Sequence, residues 1–110
     1  MDLTKAGFDW DQGNTQKCQR HGVQIADVEE MFGRTLWVTP DPAHSALEVR
    51  YRAIGTNAKE RHIFVVFTAR TRGEETLIRP ISARFMHRKE VRHYEAQKAK
   101  AEETASPEDR

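Results

Sequence analysis

The sequence predicts an α+β fold in which two N-terminal helices and one C-terminal helix pack on a small antiparallel β-sheet. Two short helical segments come first, one polar and one amphipathic, and alternating apolar and polar residues then indicate consecutive strands. The loops between these strands are short, so strands adjacent in sequence should pair with each other. A basic helical segment follows the last strand. Helices packed on one face of an antiparallel sheet are typical of the α+β class.

The length and composition predict one domain at residues 1–100 and a disordered polar tail at residues 101–110. Hydrophobic residues make up 37% of the 110-residue chain and charged residues 32%, which permits one modest core. No apolar run approaches the roughly 20 residues that span a bilayer, and the N-terminus lacks the apolar segment of a secretory signal. The single cysteine, Cys18, excludes an internal disulfide, and a reducing cytoplasm fits this count.

The first elements are a short strand and two short helices. Residues 8–11 alternate between apolar and polar, which indicates the strand. Asp11 is placed to cap a helix at residues 12–20, and Gly22 supplies the left-handed residue that ends it. Residues 23–32 form the second helix, because apolar residues recur there at every third or fourth position.

The middle of the chain predicts a meander of four strands, at residues 36–39, 47–54, 61–69 and 77–84. The third of these is apolar on both faces, so both faces should be covered, one of them by helices. Residues 55–59 form a hairpin loop, and Gly73 lies in the next turn. Pro80 lacks an N–H, so the last strand lies at an edge or is bulged there.

The C-terminal helix begins at a sequence that resembles a capping box. His87 stands at the capping position, and Glu90 follows at the third helical position. The helix then runs through Tyr94 toward Lys100. The aromatic side chains of Trp10, Trp37 and Phe64 are expected in the core rather than as platforms for stacking bases.

Positive charge is concentrated in the second half of the chain. The net charge is only +1, but residues 50–94 carry 11 Lys and Arg against 4 Glu, a local excess of +7. Such an excess is typical of a surface that binds a polyanion. The alternative is a solvated sheet face with scattered charges, and composition alone does not decide between the two.

Several short motifs occur in a fixed order over residues 8–95. They are Trp10-Asp11 with Asn14, His21-Gly22-Val23, Arg50-Tyr51 before Ala53-Ile54-Gly55, Phe64 to Thr68 with Arg70, and Ile81 to Arg84 with Met86, Glu90 and Tyr94. In this order they resemble the BrnT family, the toxins of bacterial type II toxin–antitoxin pairs. One segment departs from that family: the helix before His21 carries Lys17 and Cys18, where the family often has a His or Asn.

The resemblance implies a RelE-like fold and an endoribonuclease that blocks translation by cutting RNA. It also implies a BrnA-like antitoxin, whose ribbon-helix-helix part binds operator DNA and which covers the active surface of the toxin. A 2:2 toxin–antitoxin complex is expected on the same basis. We expect no metal ion, no cofactor and no membrane association.

Cleavage of RNA without a metal ion requires cations near the phosphoryl oxygens, a base for the 2′-hydroxyl proton and an acid for the departing 5′-oxygen. Arginine suits the first role because its planar fork matches two oxygens. The candidates are Arg84, Arg70 and Arg50. Their alternative roles are an ion pair with Glu90 for Arg84 and a solvated strand end for Arg70. For Arg50 the alternative is a cross-strand pair with Glu48 or Glu60.

His21 is the candidate base or acid because imidazole titrates near neutral pH, and its alternative role is to cap the helix. Lys17 lies four residues earlier on the same predicted helix, so the two side chains are expected to act together. Cys18 is not favoured as a nucleophile because the sequence around it shows no motif of a thiol-dependent enzyme. Further RNA-binding candidates are Arg52, Arg61, Arg79, Arg88, Lys89, His93 and Tyr94, the last of which suits a packing role better.

A second function remains open from the sequence alone. The altered segment at Lys17 and Cys18 also fits a non-catalytic RelE-like module that acts with its partner as a co-repressor of their operon. A small RNA-binding protein unrelated to toxins is a third reading. The presence of an adjacent antitoxin gene separates it from the first two.

Overall fold

The computed structural model describes residues 3, 5–44 and 48–104. Its elements, in chain order, are β1 (Gly7–Phe8), α1 (Gln12–Gln19), α2 (Ile25–Phe32), β2 (Trp37–Pro40), a 3₁₀ turn (Pro42–His44), β3 (Tyr51–Thr56), β4 (His62–Arg72), β5 (Glu75–Phe85) and α3 (Arg88–Thr104). The strands form one sheet in the order β1-β5-β4-β3-β2. The α+β class, the two N-terminal helices and the C-terminal helix are thereby confirmed.

The sheet is antiparallel except at one edge, where β1 pairs with β5 in parallel. The predicted strand at residues 8–11 is wrong in its bounds, since β1 covers only Gly7–Phe8. The reason lies in Asp11, whose side chain accepts a hydrogen bond from the Asn14 N–H and so caps α1. The cap on α1 is therefore confirmed, while the strand is shortened.

The core lies between one face of the sheet and the helices α1 and α2. The sheet contributes buried residues that alternate along its strands, namely Ala53, Ile63, Val65, Phe67, Ile78 and Ala83. The helices contribute Cys18, Val28 and Phe32 to the same cluster. Trp10 packs against it as expected. The two layers exclude water from this face, because every second side chain of the strands is apolar and packs against the apolar side of each helix.

The strand β3 begins and ends later than predicted. It starts at Tyr51 because the chain before it is engaged outside the ladder: the Val49 carbonyl accepts a hydrogen bond from the Thr68 hydroxyl at 2.7 Å. It continues through Thr56, so the predicted loop at residues 55–59 moves toward residue 61. Leu47, at the start of the predicted strand, lies outside the described residues.

The loop after β3 is organised by the buried side chain of Asn57. Its Oδ1 accepts hydrogen bonds from the N–H groups of Lys59 and Arg61, and its Nδ2 donates to Asp27 of α2 at 3.1 Å. One side chain therefore closes the turn and ties it to a helix, which is a local use of asparagine common in turns.

Pro80 lies at a bulge rather than at an edge. Val66 pairs with Ser82 and Phe67 with Pro80, so Ile81 is an extra residue on β5. The strand β5 is interior, between β1 and β4. The Pro80 carbonyl accepts a hydrogen bond from the Asn14 side chain at 2.8 Å, which joins α1 to the bulge.

The face of the sheet turned away from α1 and α2, which we call the distal face, carries two rows of side chains. Cross-strand register places Trp37, Ile54, Phe64 and Arg84 in one row, and Thr39, Arg52, Val66 and Ser82 in the next. The helix α3 lies over one end of this face. The expectation that all helices share one face is therefore wrong, because α3 is on the other side.

Trp37 and Phe64 are half-buried on the distal face and do not belong to the core cluster. Their assignment to the core is therefore wrong, because register places them opposite the layer of α1 and α2. The helix α3 extends to Thr104, so residues 101–104 are helical rather than part of a tail. Residues 105–110 lie outside the described residues. Within the described part of the chain, no helix is long and apolar enough to cross a membrane.

Candidate functional site

Two concavities lie side by side on the distal face and share Phe64 as a wall. The aromatic concavity, of about 430 Å³, is lined by Trp37, Ile54, Phe64, Met86, Lys89, Glu90, His93, Tyr94 and Gln97. The cationic concavity, of about 330 Å³, is lined by Lys17, Asp41, Arg50, Arg52, Phe64, Val66, Ile81 and Ser82. An apolar hollow and a charged hollow therefore meet at one side chain.

The cationic concavity brings together three basic side chains from distant parts of the chain. Lys17 comes from α1, Arg50 from the segment before β3, and Arg52 from β3 itself. Arg52 also donates a hydrogen bond to the Pro40 carbonyl at 3.2 Å. Asp41 is the one carboxylate among the described residues of the lining, where cations therefore exceed anions by two. An excess of positive charge in one hollow favours the binding of an anion.

Arg84 is engaged in a bidentate ion pair with Glu90. The two guanidinium nitrogens Nη1 and Nη2 lie 2.8 Å from Oε1 and Oε2 of the carboxylate. This pairing lowers the pKa of Glu90 to about 2 and raises the pKa of Arg84. The guanidinium also lies over the Phe64 ring, 4.9 Å from its centroid. The alternative role named for Arg84 is thus present, and the pair uses two of its five N–H donors.

Arg70 and Arg84 lie at opposite ends of the sheet. Arg84 pairs with Phe64, whereas Arg70 is six residues further along β4. At about 3.4 Å per residue, this separation is about 20 Å along the strand. Arg70 is exposed, and its Nη2 lies 3.5 Å from Glu48 Oε2. The two arginines therefore do not contact the same phosphate.

His21 does not lie beside Lys17 on a helix. The helix α1 ends at Gln19, because Gly22 adopts φ +91° and its N–H donates to the Gln19 carbonyl. The expected pairing along one helix face is therefore wrong. His21 is exposed and lines neither concavity. Cys18 is buried, and burial raises the pKa of its thiol to about 11, which leaves it without nucleophilic character near neutral pH.

The remaining basic and aromatic candidates divide between the concavities and other contacts. Arg52 lines the cationic concavity, and Lys89, His93 and Tyr94 line the aromatic one. Arg79 is held by Asp11 at 2.9 Å and by Asp9 at 3.7 Å.

Arg61 and Arg88 complete the predicted set and line neither concavity. Arg61 stacks over the Phe85 ring at 3.6 Å, and Arg88 is exposed at the start of α3. Tyr94 packs edge-on against Trp37 and His62, so its packing role is present.

Residues that were not predicted for the site also line it. Asp41, Ser82 and Met86 belong to the two concavities, together with Trp37 and Phe64. Alternation along β4 was a usable signal for Phe64, because residues on the face opposite Ile63 and Val65 cannot contact α1 and α2. Among the described residues, no group of three or more His, Cys, Asp or Glu side chains is arranged to hold a metal ion.

The comparison with protein families identifies the chain. The sequence model of a family described as "Ribonuclease toxin, BrnT, of type II toxin-antitoxin system" matches residues 10–90. This range contains the cationic concavity and all of the distal-face strands. A comparison with curated proteins gives no match. The match covers well over half of the chain, which therefore belongs to the BrnT family of ribonuclease toxins of type II toxin–antitoxin systems.

Proposed function

We propose that this toxin cleaves RNA without a metal ion and holds the scissile phosphate in the cationic concavity. The observation that carries the proposal is the convergence of Lys17, Arg50 and Arg52 around one hollow of about 330 Å³ on the exposed sheet face. Preorganised cations near the phosphoryl oxygens stabilise charge that develops in the transition state, which is usually the largest catalytic contribution.

In the proposed reaction the ribose 2′-oxygen attacks the adjacent phosphorus, and the bond from phosphorus to the 5′-oxygen breaks. The 2′-hydroxyl proton passes to a base, and the 5′-oxygen receives a proton from an acid. The products are a 2′,3′-cyclic phosphate and a 5′-hydroxyl. The side chains of Arg50 and Arg52 neutralise the phosphoryl oxygens, and Lys17 lies where it can share this role or move a proton. His21 takes part only if the bound RNA reaches beyond the concavity.

Arg84 and Arg70 are proposed to contact phosphates on either side of the scissile one. Their separation of about 20 Å along β4 suits an extended single strand rather than one phosphate. Of the other candidates, Lys89, His93 and Tyr94 border the aromatic concavity and are placed to meet the same strand. Arg61, Arg79 and Arg88 are proposed to contribute only to the long-range positive potential.

The proposed antitoxin is BrnA-like and covers the distal face. This face presents an apolar hollow beside a cationic one, a combination that an antitoxin folding on binding can bury over a large area. We propose a 2:2 complex that binds operator DNA through the ribbon-helix-helix part of the antitoxin. Because the substrate is RNA engaged in translation, the toxin is proposed to act in the cytoplasm. Light scattering of the co-expressed pair, with and without operator DNA, tests this assembly.

The test of the proposed reaction is induced expression of the wild type beside Lys17→Ala/Arg52→Ala, with growth and RNA integrity followed over time. The matched control is Arg92→Ala, which removes an exposed cation on α3 that lines neither concavity. Wild type and control should arrest growth and degrade RNA. The double variant should cleave about 100-fold or more slowly. Undiminished cleavage by the folded double variant refutes the assignment of the cationic concavity.

A second candidate function is a non-catalytic co-repressor that acts with its partner. The observation that favours it is the ion pair of Arg84 with Glu90, which occupies the fork of the residue expected to bind phosphate. In the same experiment the wild type separates the two functions, and Arg84→Ala shows whether this arginine takes part in cleavage. Intact RNA and normal growth with folded wild-type protein support the co-repressor.

A further inference from the structure

The aromatic concavity is separated from the cationic concavity by a single side chain, that of Phe64. We propose that the aromatic concavity is a base-binding subsite, which takes a nucleobase of the RNA whose phosphate lies in the cationic concavity. This inference rests on the proposed function and deepens it, because it names where the strand enters and which part of the nucleotide each hollow holds.

The ring of Trp37, which packs against Tyr94, provides the surface for stacking. The centroids of the two rings lie 5.9 Å apart and their planes meet at 89°, an edge-to-face arrangement. An edge-to-face pair covers one ring face only, whereas a stacked pair covers two. Tyr94 also contacts the His62 ring edge-on, and Lys98 Nζ lies over it 5.9 Å from its centroid, so within this pair the ring face left for a planar guest belongs to Trp37. Stacking of bases on aromatic side chains contributes about 1–3 kcal/mol per base to the binding of single-stranded nucleic acid, and it tolerates any base.

The size and lining of the hollow suit a base rather than a bare phosphate. Its volume of about 430 Å³ lies within the range of small-molecule sites. His93 and Gln97 bring hydrogen-bonding groups from α3 to the rim, where they can meet the edge of a base that lies against the Trp37 ring. Recognition of single-stranded RNA combines these two contacts, stacking on a ring and hydrogen bonds to a base edge.

The charges around the aromatic concavity favour a nucleic acid over a protein segment. Lys89 and Glu90 both line it. The charge of Arg84, which lies over the Phe64 ring, is balanced by its ion pair with Glu90, so the positive excess comes from the neighbouring hollow. The neighbouring hollow adds Lys17, Arg50 and Arg52. Every nucleotide of an RNA carries a planar base and an anionic phosphate. The base can enter the aromatic concavity while the phosphate lies in the cationic concavity on the other side of Phe64.

The fluorescence of Trp37 gives a direct measurement of occupancy. The chain has two tryptophans, so Trp10→Phe leaves Trp37 as the only one, and Trp37→Phe leaves Trp10 as the matched control. Each full-length variant is titrated with a mixed-sequence RNA that carries 2′-O-methyl groups throughout and therefore lacks the nucleophile for cleavage. We expect the emission to be quenched in Trp10→Phe and unchanged in Trp37→Phe.

A second measurement is the dissociation constant for the same RNA. Trp37→Ala should raise it about 5- to 150-fold, whereas Trp37→Phe should retain most of the affinity because a ring remains. The matched control is Val38→Ala, an exposed truncation of the next residue, which points to the other side of β2 and should change the constant by less than about 2-fold.

The outcomes distinguish the subsite from the reaction. Cleavage of unmodified RNA by the wild type, with no change in Trp37 emission and equal affinity in Trp37→Ala, overturns the subsite and leaves the proposed function standing. Failure of the folded wild type to bind or cleave RNA overturns both. Quenching of Trp37 by the antitoxin but not by RNA overturns the subsite and assigns the hollow to the partner.

Discussion

Replacing Glu90 by glutamine removes the negative charge of the Arg84 ion pair while an amide oxygen remains in place. The carboxylate accepts hydrogen bonds from Arg84 at 2.8 Å through each oxygen, and its Oε1 also accepts from the His87 N–H at 2.9 Å. The amide oxygen of the substituted side chain can still accept the bond from the His87 N–H. The substitution therefore tests the ion pair more than the cap of α3.

The magnitude follows from the pKa of Glu90, which falls from 4.5 to about 2. A shift of this size in a buried group corresponds to about 3 kcal/mol. The side chains are 39% and 36% exposed, so solvent screening reduces the contribution to about 1 kcal/mol. We expect Glu90→Gln to lower the free energy of unfolding at pH 7 by about 1 kcal/mol, or the Tm by about 4 °C.

The effect of pH has a defined sign. Because the folded-state pKa of Glu90 lies below the unfolded-state value, the stabilisation is complete above pH 4.5 and is lost as the pH falls to about 2. The difference between wild type and Glu90→Gln should therefore close over this window. Urea unfolding followed by circular dichroism at pH 7, 4.5, 3 and 2 measures it.

The matched control is Glu102→Gln, the same substitution at an exposed position of α3 far from Arg84 in sequence. It should change stability by less than about 0.5 kcal/mol at every pH. A difference between wild type and Glu90→Gln that stays constant from pH 7 to pH 2 would refute the reasoning, because the loss would then not come from the charge.

Three further predictions concern the core. Asn14→Ala leaves the buried Pro80 carbonyl without its donor and should cost about 2–3 kcal/mol by urea unfolding, so a loss below 1 kcal/mol argues against this hydrogen bond. Gly55→Ala places a Cβ 2.8 Å from Leu36 Cδ2 and should lower stability by about 1–3 kcal/mol in thermal unfolding; an unchanged Tm would show that the side chain moves aside freely. Cys18, with its pKa raised to about 11, should react with iodoacetamide at pH 8 at least about 100-fold more slowly in native than in denatured protein, and equal rates would contradict its burial.

Helix ends were predictable because their causes are local. Asp11 caps α1 three residues before its hydrogen-bond partner, and Gly22 adopts a left-handed φ of +91° just after α1 ends. The cap at His87 was equally predictable, since Glu90 accepts the His87 N–H at the expected spacing. Each of these signals is contained within four or five residues.

Strand ends were less predictable because they depend on partners. Tyr51 begins β3 where β2 and β4 both offer a pairing residue, and the preceding Val49 carbonyl is taken by a side chain from β4. Nothing within residues 47–50 carries this information. The alternation of apolar and polar residues was visible, but the bounds of β3 depend on its pairing with β2 and β4.

The positions of some basic side chains could be predicted from local sequence, and those of others could not. The turn at Gly73 predicts a hairpin, and a hairpin already implies that Arg70 and Arg84 lie at opposite ends of the sheet. By contrast, the meeting of Lys17 with Arg50 and Arg52 depends on how α1 docks beside the bulge of β5. No spacing in the sequence predicts that these side chains line one concavity, because Lys17 is more than 30 positions away from Arg50 and Arg52.

The pairing of β1 with β5 has a consequence for synthesis of the toxin. Gly7 pairs with Leu77, and the Asn14 side chain donates a hydrogen bond to the Pro80 carbonyl, so β1 and α1 reach their final positions only once β5, the last strand, is available. Contacts between such distant residues form late and slow folding. The strand β5 must therefore emerge from the ribosome before Lys17 and Arg52 can line one concavity. A nascent chain that stops before β5 lacks Ile81 and Ser82 of the cationic concavity, so we expect toxicity only from chains that include β5.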